Sequence, residues 1–537
     1  MKFKKNKKKI IDKFKNGTIE EIETLTPNVA DKSLSYIDKE YNFDSLINEE
    51  ANLTRHNDAI NVSVFIYMLL SSKMKKLFSI TESIFALTAV PLLEKFDINI
   101  STYNSIMSEG NVRDFINDFS KTPEITEQQL KDKIKEIENK NKKIKEEDKK
   151  KEIDEEKIKK ELQNKQNGHN WIKFFNNIVK RLLEKIEHPV IHILDCVKIP
   201  VNTKNSNYEL STVINYEGKA MRGYKMGVLR AVTNFGGLIE YLIDGTISNS
   251  DISLVEDEIT NYEGFRENDI TLMDRGFAKI EFIINLVKRG IRVIVPVKKN
   301  MDIYKECIKI AKETKDENWE KHPNQKREGQ DILLIKNLKG IWISEKDRNK
   351  KPEKILENAI DFSGCVVRIE KKVKKNKEII QAAINAGDET DELYEDDKYL
   401  YIVIITTDTN MSAADIVRYY ELRPEIEEDF RQLKDIWKMC NFTSTKYIFI
   451  MCQTVMMFLG YNIFNLFKNS EQGKKYINKS MRKIENEEKR TTVFLSETNY
   501  LITSGNNYAI FSAAELLDLY ADCSKEIREK LKSLLFY

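Results

Sequence analysis

Residues 270–297, ITLMDRGFAKIEFIINLVKRGIRVIVPV, read as a strand, a helix and a second strand in close succession. ITLMD is a short apolar run closed by Arg275-Gly276, residues 277–288 form the helix, and residues 291–297 return to the strand pattern. Upstream, KMGVLRAVTN (225–234) and LIEYLIDG (238–245) are strands joined by a hairpin turn at Phe235-Gly236-Gly237. A polar helical piece, SNSDISLVEDEI (248–259), separates them from ITLMD. Earlier still, NWIKFFNNIVKRLLEKI (170–186) carries apolar residues at helical spacing and runs into HPVIHILDCVKIP (188–200), a β-branched buried strand. Strands first, then alternating helix and strand, predict an α/β fold built on a mixed sheet with helices on both faces.

At 537 residues and about 150 per domain, the chain is long enough for three or four domains. Its 41% hydrophobic content supports sizeable cores and excludes global disorder, while 32% charged residues and a mean hydropathy of -0.51 point to polar inserts or arms. Basic and acidic residues nearly cancel, 88 against 86, so the net charge of +2 identifies no partner and charge must be read locally. The six cysteines (Cys196, Cys307, Cys365, Cys440, Cys452, Cys523) form no CxxC pair. That argues against a disulfide framework and a zinc site, and suits a reducing cytoplasm. The basic N-terminus MKFKKNKKKIIDKFK has no apolar stretch after it and is not a secretory signal. The longest apolar run, IFIMCQTVMMFLGYNIF (448–464), carries Gln453, Thr454 and Asn462. It is short and polar for a bilayer, so it reads as a buried core helix and no membrane partner is expected.

The composition changes along the chain in six steps. Residues 1–125 combine a flexible cationic arm, with eight lysines against Asp12 in the first 16 residues, and a helical region compatible with DNA binding. The arm suits phosphate backbones, although a solubilising tail has the same composition. Residues 126–168 are almost pure Lys and Glu, with isoleucines too irregular for a heptad, and form a linker or exposed helix. Residues 169–297 are the first part of the α/β core. Residues 298–397 are charged, with short strands such as DILLIKN, GIWIS and GCVVRIEKKV, and make a β-rich insertion. YLYIVIITT opens the second part of the core, 398–466, and a C-terminal helical region, 467–537, follows.

Two aspartates end apolar strands, Asp195 in VIHILDCV and Asp274 in ITLMDRGF. A carboxylate so placed is held rigidly and opens into a crevice at the sheet edge, a geometry suited to metal binding; a turn or capping aspartate explains either one alone. In YYELRPEIEEDFRQLKDIWK (419–438), Tyr420, Arg423, Glu427 and Lys434 fall at offsets 0, 3, 7 and 14, within about 60° of one helical face. Ile426, Phe430, Leu433 and Trp437 make the adjacent core-facing stripe. An ordinary amphipathic helix with i,i+4 charge pairs accounts for the same residues.

Together, Asp195-x4-Pro200 after a strand, LMDRGF, and Y-x2-R-x3-E-x6-K after a YIVIITT strand resemble the DDE transposases of bacterial insertion sequences. These are the cut-and-paste group with an RNase H-like catalytic domain. The words RPEIEEDFRQLKD and FTSTKY are also similar to that group, and the likeness spans residues 170–466. The resemblance implies an RNase H-like mixed sheet interrupted by the insertion at 298–397, which accounts for the long gap between Asp274 and Glu427. It implies that Asp195, Asp274 and Glu427 are the catalytic acids and hold two Mg²⁺ (or Mn²⁺) ions, Asp195 bridging both. Hard oxygen ligands suit such ions, and a pair about 3.5–4 Å apart assists in-line displacement at phosphorus. Water would cut at the element's end, and the freed 3′-hydroxyl would attack the opposite strand or the target. No ATP is required, and no Walker GxxxxGK[ST] is present.

By the same likeness Tyr420, Arg423 and Lys434 contact phosphates near the scissile end. Arg275, Arg222 and Lys225 are further DNA-binding candidates, MRGYKMG being similar to a family segment, although strand-edge cations are commonly just solvated. Pro424 stands where many relatives have Trp and marks a helix N-terminus or kink that affects the facing of Tyr420 and Arg423. His192, on the opposite strand parity from Asp195, is expected to be a core or surface histidine. Trp319 and Trp342 lie in the insertion, where some relatives hold a flipped base with an aromatic. The implied partners are DNA, both terminal inverted repeats and target, bound by a homodimer because two ends must meet, in the bacterial cytoplasm at the nucleoid. A catalytically silent DNA-binding repressor or domesticated remnant, and an RNase H-like nuclease without strand transfer, are the alternative readings.

Overall fold

The computed structural model describes residues 4–24, 29–54, 62–74, 95–97, 108–142, 154–186, 188, 190–216, 218–338, 360–373, 376, 398–475 and 499–536. The chain begins with β1 (Lys4–Lys5), α1 (Lys7–Lys15), β2 (Glu21–Thr24) and the helices α2 (Val29–Tyr41), α3 (Phe43–Thr54), α4 (Val62–Met74), α5 (Glu109–Ser120), α6 (Glu127–Lys142) and α7 (Glu155–Leu183). It continues through β3 (Ile191–Val201), β4 (Thr212–Tyr216), β5 (Lys219–Thr233), β6 (Gly236–Thr246), α8 (Asp251–Thr260), β7 (Ile270–Met273), α9 (Ile280–Lys288) and β8 (Arg292–Pro296). The insertion adds α10 (Asp302–Glu313), β9 (Glu320–Lys321), β10 (Gln330–Ile335) and β11 (Ser363–Glu370). Last come β12 (Tyr399–Thr406), α11 (Ala413–Tyr420), α12 (Pro424–Arg431), α13 (Tyr447–Asn469), β13 (Asn499–Ser504), β14 (Asn507–Ser512), α14 (Ala513–Ala521) and α15 (Lys525–Phe536).

The expected mixed α/β sheet is present. Its order is β4-β5-β3-β7-β8-β12-β11-β10-β9, with β6 beside β5. β3 is antiparallel to β5 and β5 to β6, whereas β7 lies parallel to β3 and β8 parallel to β7. Parallel neighbours need a crossover, and α8 and α9 supply the two required here. Side-chain alternation along β3 divides the core in two. Ile193, Val197 and Ile199 enter the core shared with α7 and α13, while Leu194 and the half-buried Cys196 face α8, α9 and α10. The insertion extends this sheet: β11 pairs with β12 along its whole length, and β10 pairs with β11. GIWIS lies outside the described residues.

Three expectations need correction. The basic N-terminus is not a flexible arm: β1 pairs with β14 and β2 with β13, in a four-stranded sheet ordered β1-β14-β13-β2. Ile10 and Phe14, four residues apart, give α1 an apolar face that is fully buried, and Lys7 and Lys15 pair with Glu515 (2.6 Å) and Asp522 (2.9 Å). The C-terminal region accordingly carries a hairpin, β13 and β14, ahead of its helices. The boundary at residue 168 falls inside α7, which runs through Gly168 without a break. That glycine makes room for Tyr447, whose ring would lie 2.4 Å from a Cβ.

α13 contains the long apolar run and is buried among α7, α2, α4 and β6, as expected of a core helix. Its polar residues have structural work at the sheet edge. Asn462 donates to the Ile239 carbonyl (2.7 Å) and accepts from the Ile239 N–H (2.8 Å); Asn176 of α7 does the same for Leu242, at 3.0 and 2.9 Å. Two amide side chains therefore satisfy the outer edge of β6 where another strand would otherwise pair. Replacing Asn462 by Leu leaves the Ile239 N–H and C=O buried without partners. It should lower the free energy of unfolding by about 1–3 kcal/mol, read as an earlier denaturation midpoint at unchanged slope.

Candidate active site

β3 and β7 are in register as far as Leu194 opposite Met273, where β7 ends. The next residues on the two chains are Asp195 and Asp274, so parallel pairing sets two carboxylates side by side on one face of the sheet. Asp274 leaves the strand as expected and caps a short turn, its Oδ1 accepting the Arg275 N–H at 2.7 Å. Asp195 does not end its strand: β3 continues to Val201 because β5 pairs with it throughout. Its Oδ1 accepts the Cys196 N–H at 2.7 Å.

α12 brings the third carboxylate. α11 ends at Tyr420, a turn follows, and Pro424 takes the first position of α12, so the break expected at the proline is present. Arg423 nevertheless keeps helical dihedrals (φ -58, ψ -40), which preserves the spacing across the break. Ile426, Phe430, Leu433 and Trp437 are all buried and anchor this segment. Arg423 Nη2 donates to Asp195 Oδ2 at 2.9 Å and lies 3.8 Å from Asp274 Oδ2, while Nη1 pairs with Glu427 Oε1. One guanidinium thus joins all three acids. Asp195 is the deepest, its side chain 14% exposed, with Asp274 (41%) and Glu427 (55%) toward solvent.

Burial pushes the Asp195 carboxyl up to about 6, against the pull of Arg423 and the Cys196 hydrogen bond. Burial also raises the Tyr420 phenol above its ordinary range; Arg423 and the three acids are its charged neighbours. Lys434 sits on a π-helical turn, Gln432–Ile436, closed by the Trp437 N–H to the Gln432 carbonyl at 3.0 Å. Burial lowers its ammonium, which is within electrostatic reach of Asp195 and Lys198. Three carboxylates around one guanidinium are hard oxygen donors of the kind that fit Mg²⁺ or Mn²⁺. Arg423 lies among them and keeps them apart. Among the described residues, the His/Cys/Asp/Glu trio with all ligand atoms within 4.8 Å of one another is a different one, His188, His192 and Asp269.

The structure brings together Asp195, Asp274, Glu427, Tyr420, Arg423 and Lys434, with Arg275 at the rim directly after Asp274. It does not bring Arg222 or Lys225 to them. Arg222 pairs across from Val201, about 20 Å along the strands from Asp195, and donates to Ser211 Oγ at 3.0 Å. Lys225 points to the opposite face of the sheet, where its buried ammonium binds Asp251 (2.9 Å) and the Asn249 carbonyl. Trp319 is buried, with the Arg368 guanidinium 4.2 Å from its ring, and Trp342 lies outside the described residues. His192 is fully buried, in keeping with a core histidine.

Arg230 was missed by the spacing argument. From β5 it reaches α12, with Nε on Asp429 (2.6 Å) and Nη2 on Glu425 (2.8 Å), and Tyr461 of α13 donates to the same Asp429 at 2.7 Å. Gly237 leaves it room, since a Cβ there would lie 1.9 Å from the guanidinium. A lone cation inside the apolar strand KMGVLRAVTN was the available signal.

Residues 189–463, a little over half of the chain, match the family described as Transposase DDE domain. The chain belongs to the DDE transposase family. It is thus an enzyme of the transposase and nuclease kind. Among curated proteins none matches it. A solved structure described as "Cryo-EM structure of piggyBac transposase synaptic complex with hairpin DNA (SNHP)" aligns with 10% identity and a TM-score of 0.40, covering 89% of this chain and 86% of that one.

Two outcomes test the geometry of this DDE transposase. Arg230→Met strands Asp429 in the core and should cost about 3–5 kcal/mol in denaturant unfolding; adding Asp429→Leu should recover much of that. Asp195 has a folded-state pKa raised above the unfolded value, so its contribution favours folding below about pH 4 and is lost as pH rises through about 6. Asp195→Asn should therefore stabilise the metal-free protein at pH 7 by about 2–3 kcal/mol, and the gain should vanish near pH 3 in paired melting curves.

Proposed function

We propose that the protein is the transposase of a bacterial insertion sequence, that it binds the element's terminal inverted repeats as a homodimer, and that it cuts and joins DNA by phosphoryl transfer. The observation that carries this reading is the convergence of Asp195, Asp274 and Glu427, from two parallel strands and a helix, on the single guanidinium of Arg423. The strand order β6-β5-β3-β7-β8, antiparallel among the first three and parallel thereafter, supports an RNase H-like core. The site of action would be the cytoplasm, at the nucleoid.

Asp195, Asp274 and Glu427 would hold two Mg²⁺ or Mn²⁺ ions, which when bound supply Lewis acidity to the attacking and leaving oxygens. The chain's own groups position the DNA. Arg423 offers a planar fork to a phosphate, Tyr420 an O–H donor and Lys434 a point charge. A phosphate that takes up Arg423 also frees the three acids from their internal partner. In the first step a water oxygen bonds to phosphorus as the bond to the 3′-oxygen of the element's end breaks. In the second, that 3′-hydroxyl attacks a phosphodiester of the target and a target 3′-oxygen leaves. Each displacement exchanges one P–O bond for another, so neither needs ATP.

With Mg²⁺ and a labelled duplex carrying the element's terminal repeat, the protein should give cleavage at the repeat end and joined products. Glu427→Gln should reduce both by about 100-fold or more while retaining DNA binding in a gel shift. Binding without cleavage by the unaltered protein would favour a DNA-binding repressor or remnant. Cutting without joining would favour a nuclease.

A further inference from the structure

His188, His192 and Asp269 cluster at the end of the β3/β7 pair opposite to the candidate active site. Asp269 immediately precedes β7, and His192 lies in β3 three residues before Asp195, on the other face of the sheet. The Nε2 atoms of both histidines converge on one carboxylate. His188 Nε2 lies 3.2 and 3.1 Å from the two oxygens of Asp269, and His192 Nε2 lies 3.2 Å from Oδ2. All three ligand atoms fall within 4.8 Å of one another. A tetrahedral ion with bonds of about 2.0–2.1 Å needs donor atoms about 3.3 Å apart, so the two His–Asp edges already have the required length.

The surroundings match what an imidazole ligand requires. His192 Nδ1 meets Glu240 Oε2 at 2.7 Å, and Tyr262 donates to Glu240 Oε1 at 2.8 Å. A carboxylate on the far ring nitrogen fixes the tautomer that presents Nε2 to a metal and makes that nitrogen more basic. Asp269 is held in turn, its Oδ2 accepting the Arg266 N–H at 2.7 Å. Charge also fits. The cluster holds two carboxylates, Asp269 and Glu240, both nearly buried, and a divalent ion with two neutral imidazoles would neutralise them.

We infer that His188, His192 and Asp269 form a transition-metal site for Zn²⁺ or a similar ion, with water in the fourth position, that staples the segment entering β3 to the start of β7. Scattered cysteines argued against zinc from the sequence, but this donor set contains none. Two imidazoles and one carboxylate favour Zn²⁺ over Mg²⁺, so the site and the carboxylate crevice would select different ions. The staple would act on the two strands that carry Asp195 and Asp274.

The test is Co²⁺ titration of the chelator-treated full-length protein in excess Mg²⁺, followed by visible absorption, with Zn²⁺ displacement and melting curves. One ion per chain should bind with tetrahedral d–d bands, Zn²⁺ should displace it, and Zn²⁺ should raise the Tm. His188 is the substitution of choice because its side chain is 21% exposed and tolerates replacement better than fully buried His192. His188→Gln should bind at least about tenfold more weakly, whereas Glu427→Gln should bind unchanged. His188→Cys should restore binding and add a thiolate-to-cobalt charge-transfer band. The inference is overturned if no ion binds, if excess Mg²⁺ prevents binding, or if His188→Gln binds as well as the unaltered chain. The readout needs no DNA, so its failure would leave the proposed transposition chemistry standing.

Discussion

Carboxylates gathered in one crevice repel each other, and a fold that places three there must also place a cation among them. Two unit charges about 4 Å apart at an effective dielectric of 20 interact by about 4 kcal/mol, enough to matter against the small net stability of a domain. Arg423 meets this requirement. Its position follows from a chain of ordinary structural causes: Pro424 starts α12, the buried stripe Ile426, Phe430, Leu433 and Trp437 fixes its rotation, and Arg230 with Tyr461 holds Asp429 so that the helix cannot slide along β5. Without the guanidinium, the register that aligns Asp195 with Asp274 would bring repulsion alone.

The sheet is protected on the side away from the crevice by a different device. β6 would be an open edge, yet the helices packed there supply Asn462 and Asn176 to its backbone. A polar residue in an apolar helix is expensive to bury unless it is fully hydrogen-bonded, and here each amide satisfies both a donor and an acceptor on the same strand residue. At the other end of the sheet, the inserted strands β11 and β10 continue the ladder from β12. β3 and β7, which bring Asp195 and Asp274, are therefore interior strands of a wide sheet, with paired neighbours on both sides.

Much of this was legible in the sequence because local patterns encode it. Period-two and helical spacing gave the strands and helices of the core, and the apolar stripe gave the rotation of α12. The Tyr420, Arg423, Glu427 and Lys434 spacing survived a break that the proline announced, since Arg423 stayed helical. What was not legible depends on pairing between distant segments. The end of β7 is visible as Asp274, but Asp195 lies mid-strand because β5 extends beyond it, and nothing within VIHILDCV records the length of its partner. Lys225 and Arg222 look alike in MRGYKMG, yet strand parity sends the lysine through the sheet and pairing distance removes the arginine. The lysine-rich start looked unstructured because composition hides Ile10 and Phe14, whose partners come from the far end of the chain.

That last pairing has a consequence for biosynthesis. Among the described residues, strands Lys4–Lys5 and Glu21–Thr24 find their sheet neighbours in Asn499–Ser512, so a segment made early must wait for one made far later before its sheet can close. A product cut short by a frameshift or a premature stop carries unpaired β-edges and lysines without their acidic partners, a natural target for degradation. Synthesis through Asn499–Ser512 is thereby built into the architecture as a condition for closing this sheet.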